Sequence, residues 1–150
     1  TKYIGVLDAD LEYSPNDLKR LFLDIELNDG DVACGSRFIG NFERKNLYLR
    51  TYLANKILSK FFSFIHRQKV TDIATCLKVF KKEIFEFIEL KENGFSIEVE
   101  LLAKTLANSK KYSEIPISYS ARSYEDGKKI KFIDGLRYFV TILKFSRQKK

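Results

Sequence analysis

Apolar residues in this chain follow first a strand rhythm and then a helical one. The run Lys2 to Leu7 is mostly apolar and β-branched, which predicts a strand covered on both faces of a sheet. Ser14-Pro15 supplies an N-cap followed by proline at the first helical position, and Leu18, Leu21, Phe22 and Ile25 then recur at helical spacing until Asn28-Asp29-Gly30. Asp31 to Gly35 reads as a second strand. This β-α-β order predicts a right-handed crossover in a parallel sheet, with functional loops at the carboxyl ends of the strands.

The longest helical pattern runs from Asn46 to about Ile65, with Leu49, Tyr52, Leu53, Ile57, Phe61, Phe64 and Ile65 on its stripe. Between Arg44 and Lys69 there is no acid, while Arg44, Lys45, Arg50, Lys56, Lys60, Arg67 and Lys69 are basic. A short strand, Cys76 to Phe80, precedes another helix, and Asn93-Gly94 breaks the chain before a helix over 96–107. Tyr112 to Ser118, with Pro116 inside it, reads as an edge strand. A basic loop, "ARSYEDGKKIKF", leads into a last amphipathic helix over about 131–145. No repeat or Gly/Ser linker divides the chain.

A length of 150 residues with 45% hydrophobic content suits one domain with a real core. The 27 Lys and Arg exceed the 20 Asp and Glu, giving +7, which favours anionic partners. Cys34 and Cys76 lack the spacing of a zinc site and read as buried reduced residues. His66, the single histidine, reads as a surface residue at a helix end. No apolar run approaches the ~18 residues that span a bilayer, and no signal-peptide pattern opens the chain. The abrupt start at Thr1, directly before a strand, suggests a piece of a longer protein.

The candidate chemistry begins with Asp8 and Asp10, two like charges at the end of an apolar strand. In extended backbone, residues i and i+2 share a face, so the carboxylates repel unless a cation lies between them. Such a pair can hold Mg²⁺ or Mn²⁺ and leave the remaining coordination sites to phosphate oxygens and water. Glu12 is either a third oxygen ligand or an exposed acid at the helix entry. Arg37, after Gly35-Ser36, can grip a phosphate with its guanidinium fork or serve as a surface ion-pair partner. Asp72 can orient a sugar hydroxyl or a catalytic Lys or Arg; an Asx-turn or helix cap is the alternative. Arg122, Lys128 and Lys129 form a basic loop at the same expected sheet edge. The helices over 46–65 and 131–145 carry wide apolar faces flanked by Lys and Arg, the pattern of segments lying on an anionic membrane or of core helices with basic flanks.

In order and spacing, "DADLEYSPNDL" (8–18), "DVACGSRFIG" (31–40), "TDIATCLKVFKKEIF" (71–85), "NGFSIEVELLAK" (93–104) and "EIPISYSARSYEDGKKIKFIDGLR" (114–137) resemble the family 2 glycosyltransferases. The subgroup they look most like is the dolichyl- or polyprenyl-phosphate mannosyl- and glucosyltransferases. The resemblance implies an α/β, GT-A fold, incomplete because the amino-terminal nucleoside-binding strands have no counterpart, with residues 1–150 as one partial catalytic domain. It implies that Asp8 and Asp10 bind metal and the sugar-nucleotide diphosphate, with Glu12 at a polar ligand position. It places Arg37 on the acceptor phosphate, Arg50 as a second such contact, and Arg122, Lys128 and Lys129 in a loop over the phosphates. The implied reaction is inverting transfer of a hexose from GDP-mannose or UDP-glucose to polyprenyl or dolichyl phosphate at the cytoplasmic face of a membrane. Two rival readings are a haloacid dehalogenase-type phosphotransferase with Asp8 as nucleophile, and a non-enzymatic basic module binding anionic membrane. No nucleic-acid signature is present.

Overall fold

The computed structural model describes residues 1–41, 44–45, 48–121 and 132–146. Its elements are β1 (Tyr3–Val6), α1 (Pro15–Leu27), β2 (Val32–Ser36), β3 (Arg44–Lys45), α2 (Leu49–His66), β4 (Lys78–Lys81), α3 (Lys82–Glu86), α4 (Ser96–Ala107), β5 (Tyr112–Pro116), β6 (Tyr119–Ser120) and α5 (Phe132–Lys144). The main sheet has the order β1-β4-β2-β5, and β3 pairs with β6 in a separate two-stranded ladder. The fold is mixed α/β, consistent with a GT-A-like glycosyltransferase fragment.

One expectation of the strand order needs correction. β1 and β2 are not neighbours in a parallel sheet, because β4 lies between them and runs antiparallel to both. They do point the same way, and β2 pairs in parallel with β5. The apolar pattern of β4 reads identically in either chain direction, so the sequence rhythm carries no sign of the reversal. β5 does form the sheet edge, but it ends at Pro116, two residues earlier than expected, and β4 begins at Lys78 rather than Cys76.

Alternation along the strands divides the core between the two sheet faces. Tyr3, Ala33, Leu77 and Val79 pack with Leu21 and Ile25 of α1. Val32, Cys34 and Phe80 pack on the other side with Leu58 and Phe62 of α2, Val99 and Leu102 of α4, and Tyr138 and Ile142 of α5. Gly35 is required by this packing, since a Cβ there would lie 2.7 Å from Ile117 Cδ1 and 3.2 Å from Leu77 Cβ.

The start of α1 matches its sequence signals: Ser14 Oγ accepts the Asn16 N–H at 3.2 Å, and Pro15 opens the helix. Cys34 and Cys76 are buried free thiols, and burial pushes both pKa values up to about 12. His66 is a correction. It does end α2, but it is half-buried rather than on the surface, because its ring stacks at 4.1 Å on the buried Phe62 one turn back along the same helix.

Candidate functional site

Four connecting segments meet at one edge of the sheet: those leaving β1, β2 and β5, and the one entering β4. The antiparallel β4 brings its amino end to the carboxyl ends of β1 and β2, with Lys78 opposite both Val6 and Cys34.

The strand ends at Val6 and the chain turns at Ala9-Asp10, so the i, i+2 alignment expected of Asp8 and Asp10 does not apply. Asp8 continues alongside the β4 entry, its N–H donating to Cys76 Sγ at 3.4 Å. Asp10 lies in a turn and its Oδ1 accepts the Glu12 N–H at 3.1 Å. Between them, Leu11 adopts φ 64°, a left-handed conformation disfavoured for a residue with a branched side chain. Asp8 is exposed as a residue. The partial loss of water around its carboxyl, reinforced by the negative charges of Glu98 and Asp10, raises its pKa above the usual value. A carboxyl pressed by like charge is one that gains from a cation.

Glu12 is held from the opposite side. Its Oε2 accepts the Tyr119 hydroxyl at 2.8 Å, and its carbonyl accepts the Ser120 N–H at 3.0 Å.

Arg37 directly follows β2 and is only 4% exposed, while Asp72 is fully buried. The pair is bidentate, with Nε to Oδ2 at 2.7 Å and Nη2 to Oδ1 at 2.8 Å, and the Arg37 N–H adds a bond to Oδ2 at 3.1 Å. Burial opposes the guanidinium charge, but Asp72 overrides it and keeps Arg37 protonated. Asp72 also closes an Asx-turn by accepting the Ala74 N–H at 3.2 Å, so the orienting and turn-forming roles coexist in one side chain. The loop bearing it is fixed by Glu114 of β5, whose carboxylate accepts the Thr71 N–H at 2.8 Å and the Asp72 N–H at 3.3 Å. Burial raises the pKa of Glu114.

Arg50 lies on the exposed first turn of α2. Arg122, Lys128 and Lys129 lie outside the described residues.

Three residues missed by the sequence reading belong to this edge. Lys78 is buried on the α4 side of β4, where its ammonium bonds Glu98 and the Thr75 carbonyl. A lysine and an acid twenty positions apart carry no local signal of pairing; the one hint is a charge inside the apolar run "CLKVF". Tyr119 is buried between the acidic turn and Arg37, its ring centroid 4.8 Å from Arg37 Cζ.

Among the described residues, no three His, Cys, Asp or Glu side chains are grouped to hold a metal by themselves. What the structure does show at Asp8 and Asp10 is two hard oxygen donors whose like charges act on one another, the donor type that a Mg²⁺-class cation takes one or two at a time.

Residues 1–88 match the family model described as Glycosyl transferase family 2. The chain belongs to glycosyl transferase family 2. Among its relatives is a low-salt glycan biosynthesis hexosyltransferase of Haloferax volcanii, 28% identical over 137 residues that cover 91% of this chain and 33% of that protein. Another is a dolichol-phosphate mannosyltransferase of Pyrococcus furiosus, 31% identical over 131 residues, covering 82% of this chain and 35% of the relative. A glycosyltransferase of Haloferax volcanii is 30% identical over 124 residues, 80% of this chain and 39% of its own length. The chain thus spans well under half the length of these relatives.

Proposed function

We propose that this family 2 protein transfers a hexose, mannose or glucose, from a GDP- or UDP-sugar to the phosphate of a polyprenyl or dolichyl lipid, inverting the anomeric centre. The observation that carries the reading is the position of Asp8 and Asp10 on the loop leaving β1, at the sheet edge that also holds Arg37 and Asp72. A dolichol-phosphate mannosyltransferase among the similar proteins supports the choice of acceptor.

Asp8 and Asp10 would hold Mg²⁺ or Mn²⁺, and the ion supplies neutralisation of the charge that builds on the departing nucleoside diphosphate. A phosphate acceptor is anionic near neutral pH, so no side chain has to remove a proton from it. The residues instead bring two anions together and align them. In this reading the buried Arg37–Asp72 pair fixes the loop leaving β2 beside the acceptor phosphate, and the exposed Arg50 supplies a cation from α2. The test offers labelled GDP-mannose and UDP-glucose to the protein with either polyprenyl phosphate or polyprenol. Labelled lipid is expected from the phosphate alone and with one donor; product formed equally on polyprenol contradicts the proposal.

The acceptor's lipid nature also bears on α2 and α5. Phe61 and Phe139 stack at 4.3 Å and join the two helices, while Leu49, Leu53, Ile57 and Phe64 of α2 and Ile133, Leu136, Val140 and Leu143 of α5 remain exposed. Phe64 is 80% exposed. Arg50, Lys60 and Arg137 are exposed on the same helices. Among the described residues no helix is long and apolar enough to cross a membrane. We therefore propose that these two helices lie on an anionic bilayer, apolar side chains in the acyl boundary and cations at the headgroups. Co-sedimentation with phosphatidylglycerol vesicles is expected to be lost in the Ile57→Asp, Phe64→Asp double variant. Retained binding by that variant contradicts the assignment.

A further inference from the structure

Tyr119 touches both halves of the site. Its hydroxyl donates to Glu12 Oε2 at 2.8 Å, and its ring lies against the Arg37 guanidinium, 4.8 Å from Cζ, with Tyr13 packed beside it at 5.1 Å. Its own position is also set by contacts that do not involve Glu12. The preceding residue, Ser118, donates its N–H and its hydroxyl to the buried Asp17 of α1 at 2.9 and 2.7 Å, and Tyr119 pairs with Arg44 in the β3–β6 ladder.

Tyr119 is therefore the anchored partner and the acidic turn the held one. Glu12 is fastened at three points: its N–H on Asp10, its carbonyl on Ser120, and its carboxylate on Tyr119. A left-handed Leu11, largely bare to solvent, persists in such a turn only where its surroundings over-determine it. The Tyr119 hydroxyl is one of the bonds that do so, and it reaches Asp10 through the Glu12 backbone.

We propose that Tyr119 is a positioning residue that sets Asp10 and Arg37 in fixed relation, its hydroxyl holding the acidic turn through Glu12 and its ring seating the guanidinium. This rests on the proposed function in taking Asp8 and Asp10 as the cation-holding pair and in placing Arg37 beside the acceptor phosphate. Glu12 acts here as the tethered group.

The test is Mn²⁺ binding followed by electron paramagnetic resonance, with no sugar nucleotide present, on the whole protein. Tyr119→Phe keeps the ring and removes the tether, and is expected to weaken Mn²⁺ binding about tenfold, the worth of a hydrogen bond to a charged group. Glu12→Leu is expected to match it, and the two changes together to weaken binding no further. Glu12→Gln keeps an oxygen that can accept from Tyr119 and is expected to bind Mn²⁺ nearly as the parent does. Tyr119→Leu, which also strips the ring from Arg37, is expected to raise the KM for polyprenyl phosphate where Tyr119→Phe does not. Equal Mn²⁺ affinity in Tyr119→Phe and the parent overturns the inference, as does a Glu12→Gln loss equal to that of Glu12→Leu. Mn²⁺ binding in the parent that ignores Asp8→Asn and Asp10→Asn overturns the functional reading itself.

Discussion

Asp72→Ala is expected to lose about 3–5 kcal/mol of folding stability, because it strands a buried guanidinium without its counter-charge. The pair is closed to water on both sides, with side-chain exposures of 5% for Arg37 and 0% for Asp72. Asp72 accepts three N–H bonds from Arg37 and one from Ala74, and the alanine variant leaves all four donors unsatisfied. The loss is not the net worth of the ion pair, since bringing both charges out of water costs much of what their attraction returns. A double replacement, Arg37→Met with Asp72→Leu, is therefore expected to regain most of the stability while losing transfer activity. Urea denaturation read by circular dichroism distinguishes the two. A single alanine variant as stable as the parent would mean that water enters the pair freely.

Several elements were legible in the sequence because their signals are local. Ser14-Pro15 marks the start of α1, and the helical spacing of α2, α4 and α5 needs no knowledge of what lies opposite. Pro116 reads correctly as an edge-strand residue because it lacks the N–H that an inner strand must donate. What was not legible depends on partners distant along the chain. The reversal of β4 is a matter of pairing, and the Lys78–Glu98 contact forms only because β4 turns Lys78 toward α4. Glu12 meets Tyr119 across 107 positions. The left-handed Leu11 is invisible to pattern reading, as no glycine or asparagine announces it. The acidic pair stands out by residue type and place in the chain, while its conformation depends on contacts no motif records.

Asp8→Asn is expected to abolish transfer and at the same time stabilise the metal-free protein. Partial burial, with Glu98 and Asp10 nearby, holds the Asp8 carboxyl above its ordinary pKa in the folded chain. A carboxyl raised in this way contributes stability below its unfolded pKa, and that contribution is lost as the pH rises through its folded value. At neutral pH the ionised group is therefore a burden that asparagine removes, and the melting temperature of the variant should exceed that of the parent. The difference should vanish in acid, where both carry an uncharged group. The same sign governs function: cation binding should weaken as the pH falls through the raised value, because protonation removes the ligand charge. Loss of several kcal/mol of transition-state stabilisation corresponds to a rate decrease of about 10²–10³-fold or more.

The most direct measurement is the rate of labelled hexose transfer to polyprenyl phosphate with and without Mn²⁺, in the parent protein and in folded Asp8→Asn and Asp10→Asn variants. The account requires a metal-dependent product in the parent and a loss of at least about a hundredfold in each variant. Transfer that continues undiminished in both variants would contradict it.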